Sequence, residues 1–182
     1  MDIIVMAGGR GSRLGGVDKP LLKICGERII DHAVKEAKKI SHRKIIICTK
    51  KEYMDELVLL REYDVEILEC LGRDYVEDLN IALSKIEFPA LILPADTPFI
   101  TSEIINRFIE EAGKNRSDII TLMRCRENIC VETGVSLFNK SSGGWRNIYF
   151  IDSIELLDID TREDLLRAEK QCEYMEELEK RE

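Results

Sequence analysis

The stretch Met6-Ala7-Gly8-Gly9-Arg10-Gly11-Ser12-Arg13-Leu14-Gly15-Gly16-Val17-Asp18-Lys19-Pro20 decides how the rest of the chain is read. It follows the apolar run Ile3-Ile4-Val5, which has the composition of a buried strand. It holds five glycines, two arginines and one lysine, and Pro20 closes it. Glycine lets backbone N–H groups turn towards a ligand with no Cβ in the way. Successive inward N–H groups form an anion nest, to which Arg13 and Lys19 add full positive charges. A plain turn needs only about two to five residues and no cations. The stretch therefore suits a polyphosphate held against the backbone.

Two other phosphate loops are excluded. A P-loop needs Lys-Ser or Lys-Thr directly after its last glycine, and here Lys19 is followed by Pro20. The dinucleotide fingerprint needs G-x-G-x-x-G, and Leu14 stands where its third glycine belongs. The acidic residue that fingerprint needs at the end of the second strand is also missing, since Cys48-Thr49 is there.

Outward from the loop, strands and helices alternate. Strands are expected over 45–48, 65–68, 90–94 and 119–123, and helices over 29–40, 52–62, 76–86 and 102–112, with Ser102 as an N-cap. Such alternation predicts a three-layer, Rossmann-like α/β fold, with a mostly parallel sheet and helices on both faces. After residue 130 the pattern changes to short strands at 134–138 and 147–151 and a further apolar run at 156–159. Some of these are expected to pair antiparallel at an edge, before a last helix that starts at 161. In open parallel sheets ligands bind beyond the carboxyl ends of the strands. The Gly-rich loop and the segment after Pro94 both lie there.

At 182 residues the chain is expected to be one domain. Its net charge of −8 disfavours nucleic acid. Residues 1–50 carry 11 basic against 5 acidic side chains, which is consistent with an anion site in the first quarter. No apolar run approaches the ~20 residues of a membrane span, and no signal peptide is visible at the start, so a cytoplasmic protein is expected. The six scattered cysteines form no C-x-x-C pair and are expected as reduced, mostly buried thiols.

Four groups of residues could carry chemistry. Lys19, held extended before Pro20, is a point charge for a developing anionic transition state, and Arg13 can grip phosphate oxygens in bidentate fashion. Asp96 lies just past a strand end facing the loop, where a magnesium–nucleotide site needs one or two carboxylates; a turn aspartate before Pro98 is the alternative. Asp160 precedes the last helix and is either a second ligand or, like Thr161, an N-cap. In Leu71–Asn80, Gly72 allows close approach, while Asp78 and Asn80 can accept from a base edge or ribose hydroxyls; ordinary helix capping is the alternative.

The loop resembles the signature of the nucleotidyltransferase superfamily that makes nucleotide-sugar and nucleotide-cofactor diphosphates. Ala7-Gly8-Gly9, Arg13-Leu14-Gly15-Gly16 and Asp18-Lys19 fall at the spacing of its molybdenum-cofactor guanylyltransferase branch. Within it the chain is most similar to the archaeal-type GTP:adenosylcobinamide-phosphate guanylyltransferases. The likeness extends through Gly16–Leu21, Tyr75–Asn80, Thr133-Gly134-Val135 and Asp158–Thr161. The resemblance implies GMP transfer from GTP to adenosylcobinamide phosphate with release of pyrophosphate, no protein nucleophile, and Mg2+ as cofactor. It implies nucleotide contacts from Ala7, Gly8, Gly9, Arg10, Gly11, Ser12, Arg13, Lys19, Gly72, Asp78 and Asn80. Lys19, Arg13 and Asp96 would be catalytic, and Asp96 and Asp160 would hold the metal. For a large apolar acceptor, Val135, Leu137, Trp145, Tyr149 and Phe150 would offer a platform beside a movable Gly143-Gly144 loop. Oligomeric state stays open, a homodimer included. Other acceptors, molybdopterin among them, and a catalytically dead nucleotide sensor are the rival readings.

Overall fold

The computed structural model describes residues 1–8 and 18–180. Gly9, Arg10, Gly11, Ser12 and Arg13 of the expected nucleotide loop lie outside the described residues. The chain runs β1 (Asp2–Met6), a 3-10 turn (Lys19–Leu21), the hairpin β2 (Lys23–Ile24) and β3 (Glu27–Arg28), α1 (Ile29–Lys38) and β4 (Ile45–Lys50). It continues with α2 (Met54–Leu57), β5 (Glu66–Cys70), α3 (Tyr75–Leu83), β6 (Ala90–Pro94), α4 (Ser102–Gly113), β7 (Ile119–Arg126), β8 (Ile129–Phe138), β9 (Trp145–Ile151) and α5 (Arg162–Glu179).

Seven strands form one sheet in the order β5-β4-β1-β6-β8-β7-β9. All pairings are parallel except those of β8, which runs antiparallel to both β6 and β7. The antiparallel part therefore lies inside the sheet, and the edge strand β9 is parallel to β7. Strand geometry sends alternate side chains to opposite faces. Ile3, Val5, Ile45, Ile47, Leu91 and Leu93 pack on one face with residues of α1, α2 and α4. Ile4, Met6, Cys48 and Ile92 pack on the other with Leu79, Ala82 and Leu83 of α3. These runs are apolar at every position because both faces are covered.

Several expectations are corrected. The 52–62 segment is one α-helical turn, α2, between 3-10 turns at Lys51–Tyr53 and Val58–Tyr63. No side chain caps its start, and so short an uncapped helix gains little from propagation. The 156–159 run does not join the sheet. Leu156 ends a 3-10 turn, and Leu157 and Ile159 pack with Ile24, Ile29 and Ala168 as a third cluster beneath α5. The N-cap of α4 is Thr101, whose Oγ1 accepts from Ile104 N, while Ser102 N donates to Glu36 Oε2. The cysteines are paired as Cys25–Cys172, Cys48–Cys70 and Cys125–Cys130. The register of β4 and β5 sets Cys48 and Cys70 one diagonal step apart on the same face. That proximity depends on strand pairing, which cysteine spacing does not encode.

β8 carries an irregularity between its pairings to Thr121 and Met123. There Thr133 Oγ1 donates to Leu122 O and accepts from Val135 N, and Gly134 takes φ +78°. A Cβ on Gly134 would stand 3.1 Å from Pro94 Cβ. The bulge thus lays the β8 backbone against the end of β6.

Candidate active site

The parallel strands β5, β4, β1 and β6 end side by side, and the chain at the ends of β5, β1 and β6 builds the walls of one cavity of about 240 Å³. Gly8 contributes from beyond β1, Gly72 to Tyr75 and Asp78 from beyond β5, Pro94 and Asp96 from β6, and Gly134 from the bulge. Ala7 is wedged between neighbours, its N–H donating to Cys48 O and its carbonyl accepting from Thr49 Oγ1. Gly8 follows with little room, since a Cβ there would lie 3.0 Å from Asp78 Oδ2.

Asp78 is buried at the start of α3, with its carboxylate turned back onto the preceding loop. Oδ1 accepts from Leu71 N at 2.7 Å and Gly72 N at 3.1 Å, and Oδ2 accepts from Gly72 N at 3.0 Å. These bonds hold Gly72 at φ +66°, where a Cβ would strike Lys50 Cβ at 2.9 Å. Asp78 is on the cavity wall, but its oxygens already serve the backbone. Asn80 is exposed on α3 and does not line the cavity. Two residues along a helix rotate a side chain by about 200°, so both cannot face one ligand.

The charged centre is built from three distant segments. Lys19 Nζ donates to Asp96 Oδ2 at 2.9 Å and to Asp160 Oδ1 at 2.5 Å. The two acids are brought together by the main chain, because Ile159 N donates to Asp96 O. Thr161 takes the N-cap of α5 in a capping box with Asp164, which leaves the Asp160 side chain to face Lys19. Burial opposes the charge on Lys19, but Asp96 and Asp160 outweigh it and hold the ammonium above its ordinary pKa. Among the described residues no cluster of three or more His, Cys, Asp or Glu side chains forms a metal cage. Two carboxylates that converge on one cation fit Mg2+, which takes one or two protein carboxylates and completes its shell with water and phosphate oxygens. The neighbouring Asp158 is partnered differently. Arg124 Nη2 donates to it at 2.5 Å, and burial is the leading cause that raises its pKa, with Asp96 and Asp160 adding to the shift.

Residues to which the sequence assigned no role complete the site. Asp18, which precedes Lys19, accepts from the buried Tyr53 hydroxyl and lies 3.7 Å from Lys50 Nζ. Lys50 also stacks over the Tyr53 ring at 4.0 Å. This latch fixes the main chain from which Lys19 projects. Tyr75 is 53% exposed on the cavity rim. Its hydroxyl is pushed up to about 12 by desolvation first, then by Asp96 and Glu132, so it stays protonated. Neither tyrosine lies in a Gly-rich or acidic pattern; only the Tyr75–Asn80 likeness touches one of them.

The expected acceptor platform is corrected in part. Val135, Leu137 and Phe150 belong to the buried core, whereas Trp145 and Tyr149 are 56% and 61% exposed. Alternation explains this, because 145 and 149 share one face of β9 and 150 takes the other. The Gly143-Gly144 loop is tied down, since Gly144 N donates to Asp118 Oδ2 and a Cβ on Gly143 would strike that carboxylate.

A mostly parallel sheet with a glycine-lined cavity and a lysine between two acids at its carboxyl end defines a nucleotidyltransferase architecture. The chain belongs to the MobA-like NTP transferase domain family, whose model matches residues 3–136. It is 30% identical to the adenosylcobinamide-phosphate guanylyltransferase of Methanocaldococcus jannaschii, over 93% of this chain and 96% of that one. It is 31% identical to the molybdenum cofactor guanylyltransferase of Pseudomonas fluorescens, over 62% of this chain and 56% of that one. Among solved structures, the fold matches a 4-diphosphocytidyl-2C-methyl-D-erythritol synthase from Anaerococcus prevotii (TM-score 0.75, 12% identity, 94% of this chain and 97% of that one). It also matches molybdopterin-guanine dinucleotide biosynthesis protein A from Archaeoglobus fulgidus (TM-score 0.71, 18% identity, 96% of this chain and all of that one). Among the described residues no helix is long and apolar enough to cross a membrane.

Proposed function

We propose that this nucleotidyltransferase moves GMP from GTP to adenosylcobinamide phosphate. The observation that carries the acceptor is the extent of the likeness. The Methanocaldococcus jannaschii protein aligns along 96% of its length, including the segment that supplies Asp160, whereas the Pseudomonas fluorescens molybdenum enzyme aligns over little more than half of its own.

In this reading the acceptor phosphate attacks the α-phosphorus of GTP in line. A new P–O bond forms, the bond to the β-phosphate oxygen breaks, and pyrophosphate leaves. Catalysis is positioning and charge stabilisation, with no covalent intermediate on the protein. Ala7, Gly8 and Gly72 let backbone approach the nucleotide closely, and Asp78 keeps the Gly72 turn in place. Lys19, with Arg13 from the Gly-rich loop, balances negative charge as the phosphates separate. Asp96 and Asp160 would hold Mg2+, which when bound neutralises charge on the polyphosphate.

The test is a nucleotide panel followed by an acceptor panel. GTP is expected to bind more tightly than ATP, CTP and UTP in calorimetry, and equal affinities would remove the guanine reading. With GTP and magnesium, adenosylcobinamide phosphate is expected to give pyrophosphate and the GDP-linked corrinoid. Turnover with molybdopterin and none with the corrinoid would reassign the acceptor. No pyrophosphate from any acceptor would favour a nucleotide sensor.

A further inference from the structure

We propose that Lys19 is a cation placeholder, whose ammonium keeps Asp96 and Asp160 from taking up a divalent metal until a nucleotide draws it away. The proposal rests on the reading above that these two acids hold the metal. Nζ lies 2.9 Å and 2.5 Å from one oxygen of each carboxylate. A magnesium ion held by the same two oxygens would sit about 2.0–2.1 Å from each. The ammonium and the metal therefore claim one position, and both are positive.

The main chain at Lys19 is anchored apart from its side chain, whose ammonium is shared between the two acids. Asp18 is latched to Tyr53 and Lys50, Leu22 N donates to Lys19 O, and Pro20 follows. Beyond that anchor the four-carbon stem ends in a compact charge with no planar fork to lock it to either acid. A polyphosphate beside the site offers the ammonium a stronger counter-charge. Its departure would remove the ammonium's charge from both carboxylates and favour the metal that accompanies the phosphates. The two acids would then be partly neutralised in the free protein and become metal ligands only when nucleotide is present, which orders the binding steps.

The experiment uses the full chain with Mn2+ alone as the probe, followed by the electron paramagnetic resonance of the free ion, with no nucleotide. Lys19→Met is expected to bind Mn2+ at least about tenfold more tightly than the unaltered protein, because a unit positive charge has been removed from the site. Lys19→Arg keeps the charge and is expected to stay as weak as the unaltered protein. Adding Asp96→Asn to Lys19→Met is expected to abolish the gain. Circular dichroism melts establish that each variant is folded, and Lys19→Gln replaces Lys19→Met if the latter is not. Unchanged or weaker Mn2+ binding in the folded, uncharged variant would overturn the proposal, as would a gain that survives Asp96→Asn. No binding by any of these proteins at millimolar Mn2+ would overturn it together with the metal assignment. None of these outcomes depends on GTP or on the acceptor, so failure of the guanylyltransferase reading would be seen separately.

Discussion

Opposite ends of the central strands carry an acid paired with a base, and the two ends are partnered differently. At the amino end Asp2 is 2% exposed, and both its oxygens are engaged, Oδ1 by Arg43 Nε and Oδ2 by Glu87 N. Arg43 also donates to Glu87 O and Glu87 Oε2, so its planar fork joins β1 to the turn before β6 through several directed bonds. At the carboxyl end Asp96 keeps 30% of its side chain exposed and shares one lysine ammonium with Asp160. The first arrangement is saturated and directional, and it holds strands together. The second is a point charge between two like charges, open on one side, and it can exchange partners. Similar residue types thus make a brace at one end and the proposed reactive centre at the other.

The contrast breaks first at Lys19. Lys19→Ala is expected to keep the fold and lose transfer by roughly a hundredfold or more, since one preorganised charge is worth about 3 kcal/mol in a transition state. Pyrophosphate release by the purified variant measures this, and near-normal turnover would place Lys19 among ordinary surface cations. At the other end Asp2→Ala is expected to lower stability by about 2–3 kcal/mol, because Glu87 N and Arg43 lose a buried charged acceptor. Urea melts read that loss, while kcat at a permissive temperature should stay within about twofold of the unaltered value. A larger fall in kcat than in stability would mean that the two ends communicate.

Asp96→Asn sharpens the comparison further. An amide is a poorer ligand for a hard cation, so the variant should need more magnesium for half-maximal rate while its metal-free GTP affinity changes little. A magnesium titration at saturating GTP tests this, and saturation at the unaltered concentration and rate would leave Asp96 as a turn residue. The smallest effect is expected at Glu36, a bracing acid that accepts from Ser102 N and from Lys39 Nζ. Burial opposes its charge, but those donors outweigh it and hold its carboxyl below the ordinary value of 4.5. A depressed acid contributes stability above its unfolded pKa and loses it as pH falls through the folded one. Glu36→Gln should therefore cost about 1 kcal/mol near pH 7 and progressively less below about pH 4.5. Paired melts at pH 7 and pH 3.5 measure the difference, and an equal loss at both would assign the effect to packing.

Some of this was legible in the chain itself. Ile3-Ile4-Val5, Ile45–Cys48 and Ala90–Leu93 read as two-sided buried strands because every position is apolar, and that pattern already implies a parallel sheet with covered faces. The glycine-rich stretch ending in Asp18-Lys19-Pro20 and the aspartate after Pro94 read as strand-end features because they directly follow such runs. Local chemistry determines these things, since hydrophobic pattern and turn residues act over a few positions. The tertiary structure decided what depends on pairing across the chain. The reversal of β8 and its bulge at Gly134 follow from register with β6 and β7. The meeting of Asp96 with Asp160 follows from one main-chain bond between remote segments, and the hold on Asp18 from a tyrosine 35 residues away. Asp78 and Asn80 look equivalent in sequence, but helix rotation turns one onto the Gly72 loop and the other to solvent. Such contacts are selected by the packing of whole elements, and no short stretch of sequence contains both partners.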